Sequence, residues 1–300
     1  MADLTLALDI GGTKIAAGLV DDDGRLFATS TTRTPRGDAE AVWQAVERML
    51  KATAAEADVR GIGVAAAGPI DIHAGTVSPI NIAGWSDFPL RDRLVAVAPD
   101  MPVRIGGDGV CMALGEHWRG AGQGAPSMMG MVISTGVGGG LVLDGKPYVG
   151  RTGNAGHVGH VVVEPGGPQC SCGARGCVEA IAAGPRMVQW ARELGWDAPP
   201  EAGGPELAAA ARGGDRLAQR AFERSADAVA AMVASVGAVC DLDLVVIGGG
   251  VANAGAVLFE PLRASLAGYA RLDFLTGMQV VPAALGADAG LVGAAALLRD

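Results

Sequence analysis

Three cysteines and a histidine crowd into eighteen residues as His160-x9-Cys170-x-Cys172-x4-Cys177. Three soft thiolates and one imidazole form the donor set of a closed tetrahedral zinc site, which keeps no open position and therefore serves structure rather than turnover. Gly173 and Gly176 let the chain wrap round an ion. Free thiols that happen to lie close together are the alternative, and a disulfide would leave one of the three thiols over. A bound zinc would stiffen the residues beside it, His157 and Glu179 among them, into groups able to orient a ligand.

The second constellation is built of glycine. Residues 4–9 alternate into a short strand, Gly11-Gly12-Thr13 turns the chain, residues 15–20 run back, and Asp23-Gly24 marks another turn. The same grammar restarts at residues 129–134, where an apolar strand meets Thr135-Gly136-Val137-Gly138-Gly139-Gly140, followed by Leu141-Val142-Leu143 and the turn Asp144-Gly145. Each unit predicts a glycine turn whose backbone N–H groups can hold an anion without side-chain obstruction. Two such turns facing each other would clamp one polyphosphate, whereas either turn alone reads equally well as a tight hairpin. A third cluster, Gly248-Gly249-Gly250 after the apolar run Val245-Val246-Ile247, suits close packing of a nucleotide base or ribose. No G-x-G-x-x-G opening a helix, with an acid about 20 residues on, accompanies it, which argues against a nicotinamide enzyme.

These groups need elements to carry them. Val42, Val46, Met49 and Leu50 share one face of a helix expected over 40–54, a strand follows near 61–66, and 109–117 reads as a helix after the apolar stretch Val103-Arg104-Ile105. A last helix is expected over 291–298. The 300 residues suit two lobes better than one core. Half the residues are hydrophobic and 18% are charged, a globular composition. The net charge of −9 with no basic run argues against a nucleic-acid partner. The N-terminus shows no positive leader, and the longest apolar window, residues 228–240 between Asp227 and Asp241, falls short of the ~18 residues of a membrane span. A cytoplasmic protein without a membrane anchor is expected, with Cys111 and Cys240 as buried thiols.

From Asp9-Ile10-Gly11-Gly12-Thr13-Lys14 to Ala287-Asp288-Ala289-Gly290-Leu291-Val292-Gly293-Ala294-Ala295 the chain resembles the ROK family of sugar kinases. The most specific match is Gly159-His160 followed by Cys170-x-Cys172-Gly173-x-x-Gly176-Cys177-x-Glu179-Ala180, which looks like that family's zinc signature. The resemblance implies an α/β protein with a two-domain actin-like (ribonuclease H-like) fold and an interdomain cleft. Residues 1–110 would form a small N-terminal domain, to which a C-terminal helix at about 290–300 returns, and 111–289 a larger domain with the zinc-binding loop. It implies Mg-ATP as donor, phosphorylation of a hexose, usually at the 6-hydroxyl, and a homodimer or homotetramer. Carried over by position, the ATP phosphates fall to Asp9, Gly11, Gly12, Thr13 and Lys14 and to Thr135, Gly136, Gly138 and Gly139, and the adenosine side to Gly249 and Gly250. Asp108 takes the place of the catalytic base, with a helix cap as its plainer reading. Asn81, Asp108, His160 and Glu179 line the sugar pocket, and lobe closure would hinge near Gly109 and Gly290.

Two positions depart from the family pattern. Many members carry Asn where this chain has Gly107, and glucose-specific relatives carry Glu where it has His157, in Gly156-His157-Val158-Gly159-His160. A carboxylate accepts from hydroxyls, while a neutral histidine can donate to an acyl carbonyl. The Gly-His-x-Gly-His run resembles that of bacterial N-acetylmannosamine kinases, which implies N-acetylmannosamine as substrate with His157 at its acyl group, and glucose as the alternative. A sugar-responsive regulator of the same family would need an N-terminal helix-turn-helix, for which a phosphate motif beginning at residue 9 leaves no room. A non-sugar ATPase of the actin kind would lack the zinc signature.

Overall fold

The computed structural model describes residues 4–299 apart from 56 and 83. The first half runs β1 (Leu4–Ile10), β2 (Lys14–Val20), β3 (Leu26–Arg33), α1 (Ala39–Ala54), β4 (Val59–Ala66), a small hairpin of β5 (Ile70–Asp71) and β6 (Thr76–Val77), α2 (Leu90–Val97), β7 (Val103–Gly107) and α3 (Asp108–Arg119). The second runs β8 (Met128–Ile133), β9 (Val137–Leu143), β10 (Lys146–Tyr148), α4 (Val178–Ala182), α5 (Gly184–Glu193), α6 (Gly204–Arg212), α7 (Arg216–Cys240), β11 (Leu244–Gly248), α8 (Ala256–Tyr269), β12 (Gln279–Pro282) and α9 (Ala289–Ala296).

The repeat read from two glycine hairpins extends to whole sheets. The strand orders β3-β2-β1-β4-β7 and β10-β9-β8-β11-β12 correspond position by position. In each, the first three strands form an antiparallel meander and the last two join in parallel. Strands β1 and β4 are apolar nearly throughout because helices cover both faces of their sheet. Helix α1 starts where the Asp38 carboxylate accepts the Glu40 N–H at 3.1 Å, and it buries Val42, Trp43, Val46 and Leu50. The apolar window at 228–240 is the C-terminal half of α7, and no helix among the described residues is long and apolar enough to cross a membrane. Cys111 is buried as expected, but Cys240, in the last turn of α7, is half-buried.

Each half lends its last helix to the other: α3 packs on β8 and β9, α9 packs on β1 and β4, and the two helices cross. The crossing is so close that only glycine fits. A Cβ at Gly293 would run into the Cys111 carbonyl, one at Gly115 into the Ala289 carbonyl, and one at Gly63 of β4 into the Ala294 carbonyl. Gly293→Ala is therefore expected to cost about 2–3 kcal/mol and lower Tm by about 3–5 °C. Gly107→Ala is the control, since a Cβ there meets nothing within 4 Å and the backbone is extended (φ −62°, ψ 147°). A Gly293→Ala protein that melts with wild type would contradict this reading of the crossing.

Candidate active site

Among His160, Cys170, Cys172 and Cys177 every pair of donor atoms lies within 4.8 Å. Cys170 Sγ is 3.7 Å from His160 Nδ1, and Cys172 Sγ is 3.8 Å from Cys177 Sγ. Ligands around a tetrahedral zinc, with Zn–S of ~2.3 Å and Zn–N of ~2.0 Å, stand roughly 3.6–3.8 Å apart. All the cysteines are free thiols. Burial, reinforced by the neighbouring thiols, pushes Cys177 up to about 12. Cys172 is held below the usual thiol range, first by the Ala174 backbone N–H and then by the neighbouring thiols. An exposed thiol that ionises easily beside a buried one that does not fits a dication, which would compensate the charge of the thiolates.

The zinc-signature loop is tied to the second glycine turn. Glu179, in the first turn of α4, accepts the Ser171 hydroxyl on Oε1 at 3.2 Å and the Val137 N–H on Oε2 at 3.0 Å. Its carboxylate thus spans from the cysteine cluster to the loop of Thr135, Gly136 and Val137, with Gly136 leaving room for Oε2. The same turn is held at its base, where Ser134 donates its N–H to the Gly136 carbonyl at 2.8 Å and accepts the Gly184 N–H at 2.8 Å. The third cluster abuts it: Gly249, at φ +93°, has no room for a Cβ beside the Ile133 carbonyl, and Gly250 lies against Ser134. Gly138 faces open space, as a phosphate cradle requires.

The first turn, Gly11 to Thr13, closes with Gly11 N–H on the Lys14 carbonyl at 3.0 Å. Thr34, which no motif marked, braces it twice: its hydroxyl donates to the Gly11 carbonyl at 2.6 Å and its N–H to the Thr13 carbonyl at 3.0 Å. Asn81 lies directly over this turn, so that any side chain at Gly12 would strike its amide. At the end of β1, Asp9 lies against Gly290 of α9 and is raised to about 6 by burial and then by Asp108, with Lys14 opposing. Two carboxylates without full compensation suit a hard cation such as Mg2+.

Asp108 opens α3, with its Oδ1 accepting the Gly109 N–H at 2.7 Å. It does more than cap the helix, because a Cβ at Gly109 would strike the Gly139 backbone, and this contact seats the start of α3 on β9, the strand that leaves the second glycine turn. Gly107, Asp108, Gly138, Gly139 and His157 line one cavity. Although the Asp108 side chain opens to solvent there, the surrounding walls raise its pKa, against the pull of the Gly109 N–H and of His157.

His157 Nδ1 lies 3.0 Å from the Asn154 carbonyl oxygen. A carbonyl only accepts, so Nδ1 carries the proton, and in the neutral ring Nε2 is an acceptor. The donor role read from the sequence is open at Nε2 only to the imidazolium. The rings of His157 and His160 stack with centroids 6.5 Å apart, which joins the cavity to the zinc-signature cluster.

The raised Asp9 gives a stability test. A carboxyl at about 6 in the fold and near 3.8 unfolded binds more protons in the native state between those values, so stability falls as pH rises from about 4 to about 6. Asp9→Asn is expected to raise the Tm of the metal- and nucleotide-free protein at pH 7 and to leave it unchanged below pH 4. An equal Tm difference at both pH values would contradict the assignment.

The comparisons with known proteins agree with this geometry. The ROK family model matches residues 5–300. The chain is 38% identical over 298 residues to the N-acetylmannosamine kinase of Yersinia pseudotuberculosis, covering 98% of each protein. It is 35% identical over 311 residues to the glucokinase of Thermotoga maritima, covering 98% of this chain and 97% of that protein. A crystal structure of a ROK family glucokinase from Streptomyces griseus in complex with glucose and AMPPNP superposes with a TM-score of 0.85 at 35% identity, covering 99% of each chain. The two matched sheets and the cleft between them are the actin-like, two-domain fold of these kinases. The chain belongs to the ROK family.

Proposed function

We propose that this chain is an ATP-dependent sugar kinase that transfers the γ-phosphoryl group to the 6-hydroxyl of an aldohexose. The observation that carries the reading is the position of Asp108: beside Asp9, at the end of β1 just before the first glycine turn, and joined through Gly109 to Gly139 in β9, the strand that leaves the second. A carboxylate placed between two anion-holding turns suits a base that takes the proton of an alcohol as it attacks a phosphoryl group. Mg2+ would supply charge neutralisation at the phosphates, held near Asp9. Gly11, Gly12, Thr13 and Lys14 on one side, and Thr135, Gly136, Gly138 and Gly139 on the other, would hold the phosphates, with Gly249 and Gly250 toward the adenosine. Asn81, His157, His160 and Glu179 would line the sugar pocket, and zinc on His160, Cys170, Cys172 and Cys177 would keep the loop that carries Glu179 in place. The domain boundaries fall at the two crossing helices, near Gly109 and Gly290, where closure would hinge.

N-acetylmannosamine is the first candidate acceptor, supported by the Gly-His-x-Gly-His run and by the likeness to the Yersinia kinase. Glucose is the second reading, favoured by one observation: neutral His157 offers an acceptor at Nε2, as a glutamate would. Coupled ADP formation with N-acetylmannosamine, N-acetylglucosamine, glucose and mannose tests both. The expected result is sugar-dependent turnover with kcat/KM at least tenfold higher for N-acetylmannosamine than for glucose, about 1.4 kcal/mol of discrimination. The reverse order would assign glucose, and ATP hydrolysis indifferent to every sugar would overturn the kinase reading.

A further inference from the structure

The lobes meet at a second place besides the crossing of α3 and α9. Residues 70–73, around β5, lie against residues 151–154 of the loop that follows β10. Ile72 donates its N–H to the Thr152 carbonyl at 3.2 Å, and His73 Nε2 is 3.1 Å from the Arg151 carbonyl. Between them Asn154 bonds both backbone groups of one residue of the first lobe: its Oδ1 accepts the Ile70 N–H at 3.0 Å and its Nδ2 donates to the Ile70 carbonyl at 2.7 Å. The remaining amide hydrogen goes to the Thr152 hydroxyl at 3.0 Å. A side chain that pairs with a backbone in this way acts as a strand partner, and here it does so across the cleft.

The same residue reaches the sugar pocket. Its backbone carbonyl is the group that takes the proton of His157 Nδ1, while Gly68, two residues before Ile70, lies against the other side of the ring, where a Cβ would stand 3.3 Å from Nε2. His157 is thereby held between the lobes, with its ring orientation fixed by a residue whose own place depends on their contact. We propose that Asn154 is a positioning residue that clasps the two lobes through the Ile70 peptide and holds His157 with Nε2 as an acceptor toward the sugar. The substrate in this statement rests on the sugar-kinase reading, whereas the clasp and the tautomer do not.

The test is Asn154→Ala in the zinc-loaded full chain, with Asn154→Asp beside it. Aspartate keeps an acceptor for the Ile70 N–H but sets a carboxylate oxygen against the Ile70 carbonyl, so it should behave no better than alanine. Both are expected to raise the KM for the sugar about tenfold while the KM for ATP changes less than twofold and zinc content stays at wild type. In 15N spectra at a pH where the ring is neutral, wild-type His157, assigned by its loss in His157→Gln, should show a protonated Nδ1 and a bare Nε2, and the variants a mixture of tautomers. Amide exchange at Ile70 and Ile72 should quicken in both variants. An unchanged sugar KM in Asn154→Ala, a wild-type ring protonated at Nε2, or a lowered Tm with KM and tautomer unmoved would each overturn the proposal. Should the wild-type protein phosphorylate no sugar, the functional reading fails, and the nitrogen signature and the exchange rates still decide the clasp.

Discussion

Asp108→Asn is expected to lower sugar-dependent ADP formation by about three orders of magnitude while leaving the Kd for the sugar within about threefold of wild type. The asymmetry follows from what the substitution removes. Asparagine keeps an oxygen that can accept the Gly109 N–H, so the start of α3 and its seat on Gly139 remain intact. It cannot take a proton. If Asp108 served only as a helix cap, the amide would serve nearly as well, and kcat would fall by less than tenfold. Measuring kcat by coupled ADP release and Kd by calorimetry on the same preparation separates the two cases. Since the Asp108 charge adds to burial in raising Asp9, the variant should also bring the Asp9 carboxyl part of the way down, burial holding the rest.

Cys172→Ser should release the zinc. Cys172 is exposed, so replacing its sulfur disturbs no core packing and reports on the ion alone. The bound metal should fall from about one equivalent per chain to a small fraction of that, because a hydroxyl is a poor substitute for a thiolate in a four-donor site. The consequence should travel along Glu179. With the cysteine loop loosened, its links to Ser171 and the Val137 N–H lose their anchor, and the second glycine turn loses a brace. Activity is therefore expected to drop at least tenfold, and exchange protection over residues 159–179 should be lost while β1, β4 and α1 keep theirs. Elemental analysis with hydrogen exchange checks both parts. Wild-type zinc content in the variant, or full activity without zinc, would contradict the structural role.

Much of this was legible in the residues because the signals are local. The first glycine turn announced itself at 11–13 by interrupting apolar strands and lies at the end of β1, whereas of the run read as a turn at 135–140 only 135–136 turn the chain after β8, and Gly138, Gly139 and Gly140 pair with β8 inside β9. The zinc signature was equally plain, since four soft donors within eighteen residues have few other uses. What could not be read was contact between distant segments. Nothing in Gly63, Gly115 or Gly293 says that each is glycine because another backbone passes where a Cβ would stand, so the exchange of α3 and α9 between the sheets appears only in three dimensions. Thr34 and Asn154 escaped for the same reason: each bonds to backbone far along the chain, Gly11 for one and Ile70 for the other, and neither belongs to a motif read from the sequence. His157 shows a subtler limit. Its identity suggested a donor, but its chemistry at Nε2 is set by the carbonyl that Nδ1 meets, and that carbonyl is a fact of the fold.

The most direct measurement is a crystal structure of the chain with a phosphorylatable sugar, magnesium and a non-hydrolysable ATP analogue bound together. The expected result has the β- and γ-phosphates between residues 11–13 and 135–140, and the sugar 6-hydroxyl within about 3.2 Å of an Asp108 carboxylate oxygen and in line with the γ-phosphorus. A triphosphate bound away from either turn, or a 6-hydroxyl that meets some other base with Asp108 turned aside, would contradict it.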